Sequence, residues 1–220
     1  VYKRQLYERA KSELEAAGAI LVEDPFAGTD FASYRQVTPG TPFFDGRGLE
    51  SIAYDMTCYL KRLGESAAVK TWDEFAEATH IEELTGKGNI LGYLHELPDF
   101  VEAIKSPGTP PAMPQFVELK LRYLDILKEV FDRHSLDGLV YPKMIEELPE
   151  LHSGDAIRET TVGELNIAGL PAVTVPAGYY NSGAPFELIF LGQKWSEPEL
   201  IQQAYAYEQN TLHRKTADLS

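Results

Sequence analysis

The chain has 220 residues, 44% hydrophobic and 25% charged, an ordinary globular composition for one large domain or two small ones. Its 20 basic and 34 acidic residues leave a net charge of −14, which argues against a nucleic-acid backbone or an anionic membrane surface as partner, since both need a basic stripe. One cysteine, Cys58, rules out an internal disulfide, and no apolar run reaches the length of a membrane span.

Leu6, Ala10, Leu14 and Ala17 recur at helical spacing, and Gly18 supplies a C-terminal stop. Ala19-Ile-Leu-Val22 then predicts a short buried strand before Asp24-Pro25, giving the helix-then-strand order of an α/β layer. No secretory signal is visible, because Val1-Tyr-Lys-Arg-Gln5 leads straight into the helix. With Val rather than Met in first place, the chain is read as part of a longer, truncated reading frame of a cytoplasmic protein.

Residues 25–48 are rich in Gly, Pro, Thr and Asp, as in Thr38-Pro-Gly40 and Thr41-Pro42, and predict a loop. Gly46-Arg-Gly48 lacks the preceding strand and third glycine of a phosphate cradle. Leu49, Ile52, Met56, Tyr59 and Leu60 predict an amphipathic helix over 48–63, with Cys58 a buried, inert thiol inside it. Thr71-x-x-Glu74 is a capping-box pattern at the start of another helix. Gly86-Lys-Gly88 has neither the upstream glycine nor the following hydroxyl of a nucleotide-binding loop. Five prolines between Pro98 and Pro114 predict a hinge or exposed loop. A long helix follows, with Val117, Leu121, Leu124, Leu127 and Phe131 on its apolar face. His134 sits near its C-terminus, favourable with the helix dipole, and Asp137-Gly138 ends the segment.

Leu139-Val-Tyr-Pro142 reads as a short strand stopped by proline. Residues 143–165 are polar and acidic, with Glu146, Glu147 and Glu150 at no fixed separation for glycosidase chemistry. His152-Ser-Gly-Asp155 brings the three residue types of a hydrolase triad together in sequence, but neighbours in sequence point apart and a triad is a spatial chain. No Gly-x-Ser-x-Gly elbow occurs, and the five histidines have no zinc-type spacing, so no metal and no cofactor is expected.

Gly169-Leu-Pro171 is a sharp turn, Ala172-Val-Thr-Val175 a buried strand ended by Pro176, and Asn181-Ser-Gly183 a second turn. Phe186–Leu191 is a further apolar strand, ended by Gly192 and expected to pair antiparallel with the first. Ser196-x-x-Glu199 is a second capping-box pattern, opening a helix with Leu200, Ile201, Ala204 and Tyr207 inward. Periodicity alone therefore yields two core strands and a helix.

This last region resembles the C-terminal signature of the amidase-signature family, with Asn166, Gly169, Pro171, Pro176, Gly178, Gly183, Pro185, Gly192, Glu197, Tyr207, Glu208, Thr211 and Arg214 in place. Leu136-Asp-Gly-Leu-Val-Tyr-Pro142 is similar to a second element of that family, with Lys143 where the family often has Thr or a small residue. Glu187 is another departure, at a position where many members carry Gly, and alternation along the strand predicts that it faces solvent.

The resemblance implies an α/β fold, here an incomplete part of a mixed, twisted β-sheet covered by helices. It implies that residues 1–220 are the C-terminal portion of an amidase domain, with a helical, loop-rich insertion over about 30–115. The family hydrolyses linear amides with a Ser–cisSer–Lys set held in its N-terminal half. No position here matches that set, so no catalytic residue is assigned and this chain alone is expected to be inactive. Its partners would be a small-molecule amide and the missing N-terminal half of the same polypeptide. The loop after the family's corresponding strand lines the substrate funnel, which makes Tyr141, Pro142, Lys143, Met144 and Asn166 the pocket candidates. Gly169, Pro171, Pro176, Gly178, Pro185, Gly192, Glu197 and Glu208 take structural roles. The residues alone also fit a catalytically silent, acidic α/β binding or scaffold module. A self-contained hydrolase using His152, Ser153 or paired glutamates is the third reading.

Overall fold

A computed structural model describes residues 2–32, 49–81, 86, 92, 94, 98–144, 146–150, 152–155 and 160–216. Thr38-Pro-Gly40, Thr41-Pro42, Gly46-Arg-Gly48 and Lys87-Gly88 lie outside them, Gly48 included. The chain divides into two compact units: residues 1–36 with 120–220, and residues 37–119.

The larger unit is built on a three-stranded sheet of β1 (Leu139–Pro142), β2 (Ala172–Tyr179) and β3 (Pro185–Leu191), in the order β1-β3-β2. Both pairings are antiparallel, with Leu139 opposite Leu191 on one side and Ala172 opposite Leu191 on the other. The α/β class stands, while the described part of the sheet is antiparallel throughout. Alternation sends Phe186, Leu188 and Phe190 to one face, where they join Val175, Ala177 and Tyr180 in the core. Two helices cover that face. From α1 (Tyr2–Ala16) come Leu6, Ala10 and Leu14, and from α7 (Glu197–Thr211) come Leu200, Ala204 and Tyr207. Ile189 and Leu191 point to the opposite face and are buried too, so the central strand is apolar on both sides.

The middle of the chain adds α5 (Pro114–His134) and α6 (Gly163–Ala168). Gly169 closes α6 in the left-handed conformation at φ 69°, its N–H donating to the Leu165 carbonyl at 2.8 Å. The smaller unit contains a 3-10 turn at Leu49–Ser51, α2 (Ile52–Arg62), α3 (Trp72–Thr79) and α4 (Pro98–Ala103). Among its described residues, Leu94 and Phe100 are buried together, with Ile52 and Ile104 against them. The division between the units falls inside α5.

Several expectations change. Ala19–Val22 forms no strand, and Ile20 is 94% exposed, because no described strand lies beside it to accept its ladder. Pro176 does not end β2, which continues to Tyr179. β2 is an outer strand and its register shifts between Pro176 and Tyr179, and both settings tolerate a missing N–H. Residues 98–114 are not all loop, since Pro98 opens α4, where its absent donor costs nothing. The buried face of α5 is Leu119, Tyr123, Ile126, Leu127, Val130 and Phe131, whereas Val117 and Leu121 are exposed. Ile201 and Ala17 are likewise exposed, and Cys58 is half-buried rather than buried.

Candidate functional site

The site sits where β1 runs out. Proline at position 142 has no N–H for the ladder, yet the pairing persists one residue further, with the Lys143 N–H donating to the Glu187 carbonyl at 3.0 Å. The returning chain then folds over the strand end. Met144 forms an isolated antiparallel bridge with Thr160, and the Thr161 hydroxyl lies 2.7 Å from the Pro142 carbonyl and 2.8 Å from that of Lys143. This clip fixes the direction in which the segment after Lys143 departs. On the other side, Tyr180 and Gly183 form the β2–β3 turn, with Tyr180 N–H donating to the Ala184 carbonyl at 2.8 Å and Gly183 at φ +92°.

Between the strand end and the turn lies a cavity of about 290 Å³, near the lower end of small-molecule sites, which run from roughly 300 Å³. Its walls are mainly apolar, from Met144, Leu148, Tyr180, Pro185 and Phe186. Tyr180 and Phe186 meet edge to face, ring centroids 6.1 Å apart at 83°. Its polar groups are Thr160, Lys143 and Glu187, and the Lys143 ammonium pairs with the Glu187 carboxylate at 2.8 Å. A second tie crosses the same gap, the Ser182 hydroxyl donating to the Glu147 carboxylate. Burial, and then the charge of Glu147, push the Tyr180 phenol above its ordinary pKa of 10.0.

Of the sequence candidates, Lys143 and Met144 line this cavity. Tyr141 stands one pair earlier on β1, opposite Ile189, and Pro142 serves through its carbonyl. Burial and the Glu164 charge push the Tyr141 phenol well above its ordinary range, so it is a neutral donor at any physiological pH. Asn166 lies on α6, exposed, and is not among the cavity-lining residues. Glu187, expected in solvent, is instead held half-buried at the cavity by Lys143. Leu148, Tyr180 and Phe186 carry no local pattern that marks them as site residues. The signal that points to Glu187 is its opposite charge to Lys143.

The framework residues are placed by backbone demands. Gly178 takes φ +133°, and a Cβ there would lie 2.1 Å from the Arg9 guanidinium, which donates to the Ala177 carbonyl at 2.8 Å. A Cβ on Gly192 would meet Ser196 Oγ at 2.1 Å and the buried Leu200 at 3.0 Å. The Pro171 carbonyl accepts from Gly192 N–H at 3.1 Å, Pro185 starts β3, Glu197 starts α7, and the Glu208 carbonyl accepts the capping N–H of Leu212.

No nucleophile–base pair emerges among the described residues around His152. The Ser153 hydroxyl only accepts the Asp155 N–H at 3.1 Å in an exposed turn. No group of three or more His, Cys, Asp or Glu side chains is arranged to hold a metal among the described residues. No described helix is long and apolar enough to cross a membrane. The smaller unit has its own concavity of about 340 Å³, beside Tyr54, Pro111 and Phe116, with the Ser51 hydroxyl bonded to Asp55 at 2.7 Å.

No family model matches the chain. The fold is that of the amidases. A peptide amidase solved with the competitive inhibitor chymostatin superposes with a TM-score of 0.62 at 24% identity, over 96% of this chain and 41% of that one. Sequence likeness is local and stronger. The chain is 46% identical over 76 residues to a probable amidase of Arabidopsis thaliana, covering 32% of this chain and 14% of the relative. It is 42% identical over 53 residues to a glutamyl-tRNA(Gln) amidotransferase component from Psychrobacter sp., covering 24% of this chain and 10% of that protein. The chain is thus similar to amidases in fold and, locally, in sequence, and it spans well under half the length of these relatives.

Proposed function

We propose that this chain is the C-terminal, non-catalytic portion of an amidase that hydrolyses a linear carbon–nitrogen amide bond. The observation that carries the reading is the 46% identity over 76 residues to a plant protein described as a probable amidase. In the full-length parent, a serine nucleophile activated by a second serine and a lysine would attack the amide carbonyl, and ammonia or an amine would leave. Those three residues would come from polypeptide outside this chain. The present residues would supply core strands and one wall of the substrate funnel, with Lys143 and Met144 in that wall.

Two structural features support an incomplete sheet. Ala19–Val22 has strand-like composition but no strand partner among the described residues, and β1 and β2 each pair on one side only there. Residues 37–119 form a compact unit of their own, which supports reading about 30–115 as an insertion into the amidase frame. The net charge of −14 argues against a nucleic acid as the partner.

The test is to sequence the gene upstream of Val1 and to assay both products. The upstream codons should encode a strand-terminal Lys and then a Gly/Ser-rich segment, and the longer polypeptide should release ammonia from simple amides. The 220-residue chain should release none above buffer. Enzyme-like ammonia release from the chain alone, or an upstream start codon with no such segment, overturns the reading.

A further inference from the structure

We propose that the Lys143–Glu187 pair is a selectivity gate over the apolar cavity, which takes the aryl group of an uncharged amide and turns away the corresponding carboxylate. The inference rests on the amidase reading above and names the substrate class for it. Lys143, one residue past the end of β1, and Glu187 on the neighbouring β3 meet each other at 2.8 Å. The ion pair lines an otherwise mainly apolar cavity.

The chemistry of the walls sets what enters. The edge-to-face pair of Tyr180 and Phe186 offers a flat ligand ring two aromatic neighbours, and Met144 and Leu148 adapt around it. The volume of about 290 Å³ leaves room for one ring and its substituent. The charges set what is refused. Lys143 is already neutralised by Glu187, and Glu147 holds a second carboxylate against the same turn through Ser182. A ligand carboxylate would therefore have to displace Glu187 from Lys143 while facing two acidic groups. A neutral amide loses nothing by comparison, and its N–H and carbonyl can pair with the half-exposed carboxylate and ammonium. For an amidase this discrimination has a use, since the acid is the product and a site that rejects it is not blocked by it.

The experiment is a pair of titrations on the full 220-residue chain, with phenylacetamide and phenylacetate as probes. The Met144 methyl resonance is followed by NMR, assigned with Met144→Leu. Phenylacetamide should shift that resonance and phenylacetate should not at equal concentration. Glu187→Gln should strengthen phenylacetate binding about tenfold and leave phenylacetamide within about twofold. Lys143→Met, which leaves Glu187 unpaired, should exclude phenylacetate still more strongly. Near-UV circular dichroism verifies that each variant is folded, and Glu187→Asp is measured in place of one that is not. Equal binding of the two probes, no shift with either, or an unchanged ratio in Glu187→Gln overturns the proposal. These outcomes are independent of the ammonia assay on the longer polypeptide, so a failed gate and a failed amidase assignment are told apart.

Discussion

Glu13 is the residue on which the sheet-covering helices converge. Its carboxylate accepts the Tyr207 hydroxyl at 2.7 Å and meets His213 Nε2 at 2.9 Å, with the Arg9 guanidinium 3.4 Å away. Tyr207 is 1% exposed. Burial, and then the hydrogen bond to Glu13, hold its phenol far above the ordinary value of 10.0. A proton held more tightly in the folded state stabilises it fully below pH 10, and that stability is lost as pH rises beyond 10 toward the folded value. Tyr141 adds to the same alkaline window for the same primary reason, burial. Urea midpoints should therefore fall between about pH 9 and about pH 11, and Tyr207→Phe should fall less steeply while starting ~1 kcal/mol lower for its lost hydrogen bond. A midpoint slope identical in Tyr207→Phe and wild type would show that Tyr207 does not carry the effect.

At the scale of elements, two capping patterns that look alike in sequence behave differently. Thr71 caps α3: its hydroxyl accepts the Glu74 N–H at 3.2 Å, while the Glu74 side chain reaches back to the Lys70 N–H at 2.7 Å, one residue beyond the cap. Ser196 makes no such bond at α7, because its hydroxyl turns back to the Gln193 carbonyl at 2.7 Å. Thr71→Ala should thus cost ~1 kcal/mol and speed amide exchange at Glu74, while Ser196→Ala costs only a few tenths. Equal losses would contradict the difference in geometry. The pair also shows how far sequence reading reaches. The strands β1 and β3, the antiparallel β2–β3 pairing and the helices α1 and α7 follow from periodicity and turn residues, which are local signals. Ala19–Val22 has the same local signal as a strand, but a strand also needs a neighbour, and composition carries no information about one. The cavity joins Lys143 to Glu187 and Glu147 to Ser182 across intervals that no spacing rule covers. Only the strand register brings them together.

For the whole molecule, the contrast between the two units governs stability. The sheet unit buries a twelve-residue cluster from two strands, the turn between them and two helices, while among the described residues of 37–119 the cluster around Leu94 and Phe100 has those two as its buried members. Local stability follows buried apolar contact, so amides of α2 should exchange with solvent well before those of β2 and β3. Protection in Ile52–Arg62 equal to that in Pro185–Leu191 would contradict this ranking.

The contacts that seat α1 impose an order on synthesis. Arg9 reaches Ala177 across 168 residues, and Glu13 reaches Tyr207 and His213 across 194 and 200. The helix therefore leaves the ribosome long before the elements it docks on. At roughly 5–20 residues per second its apolar stripe of Leu6, Ala10 and Leu14 waits on the order of ten to forty seconds for the elements that cover it. Throughout that interval the apolar stripe of α1 stays uncovered by its native partners.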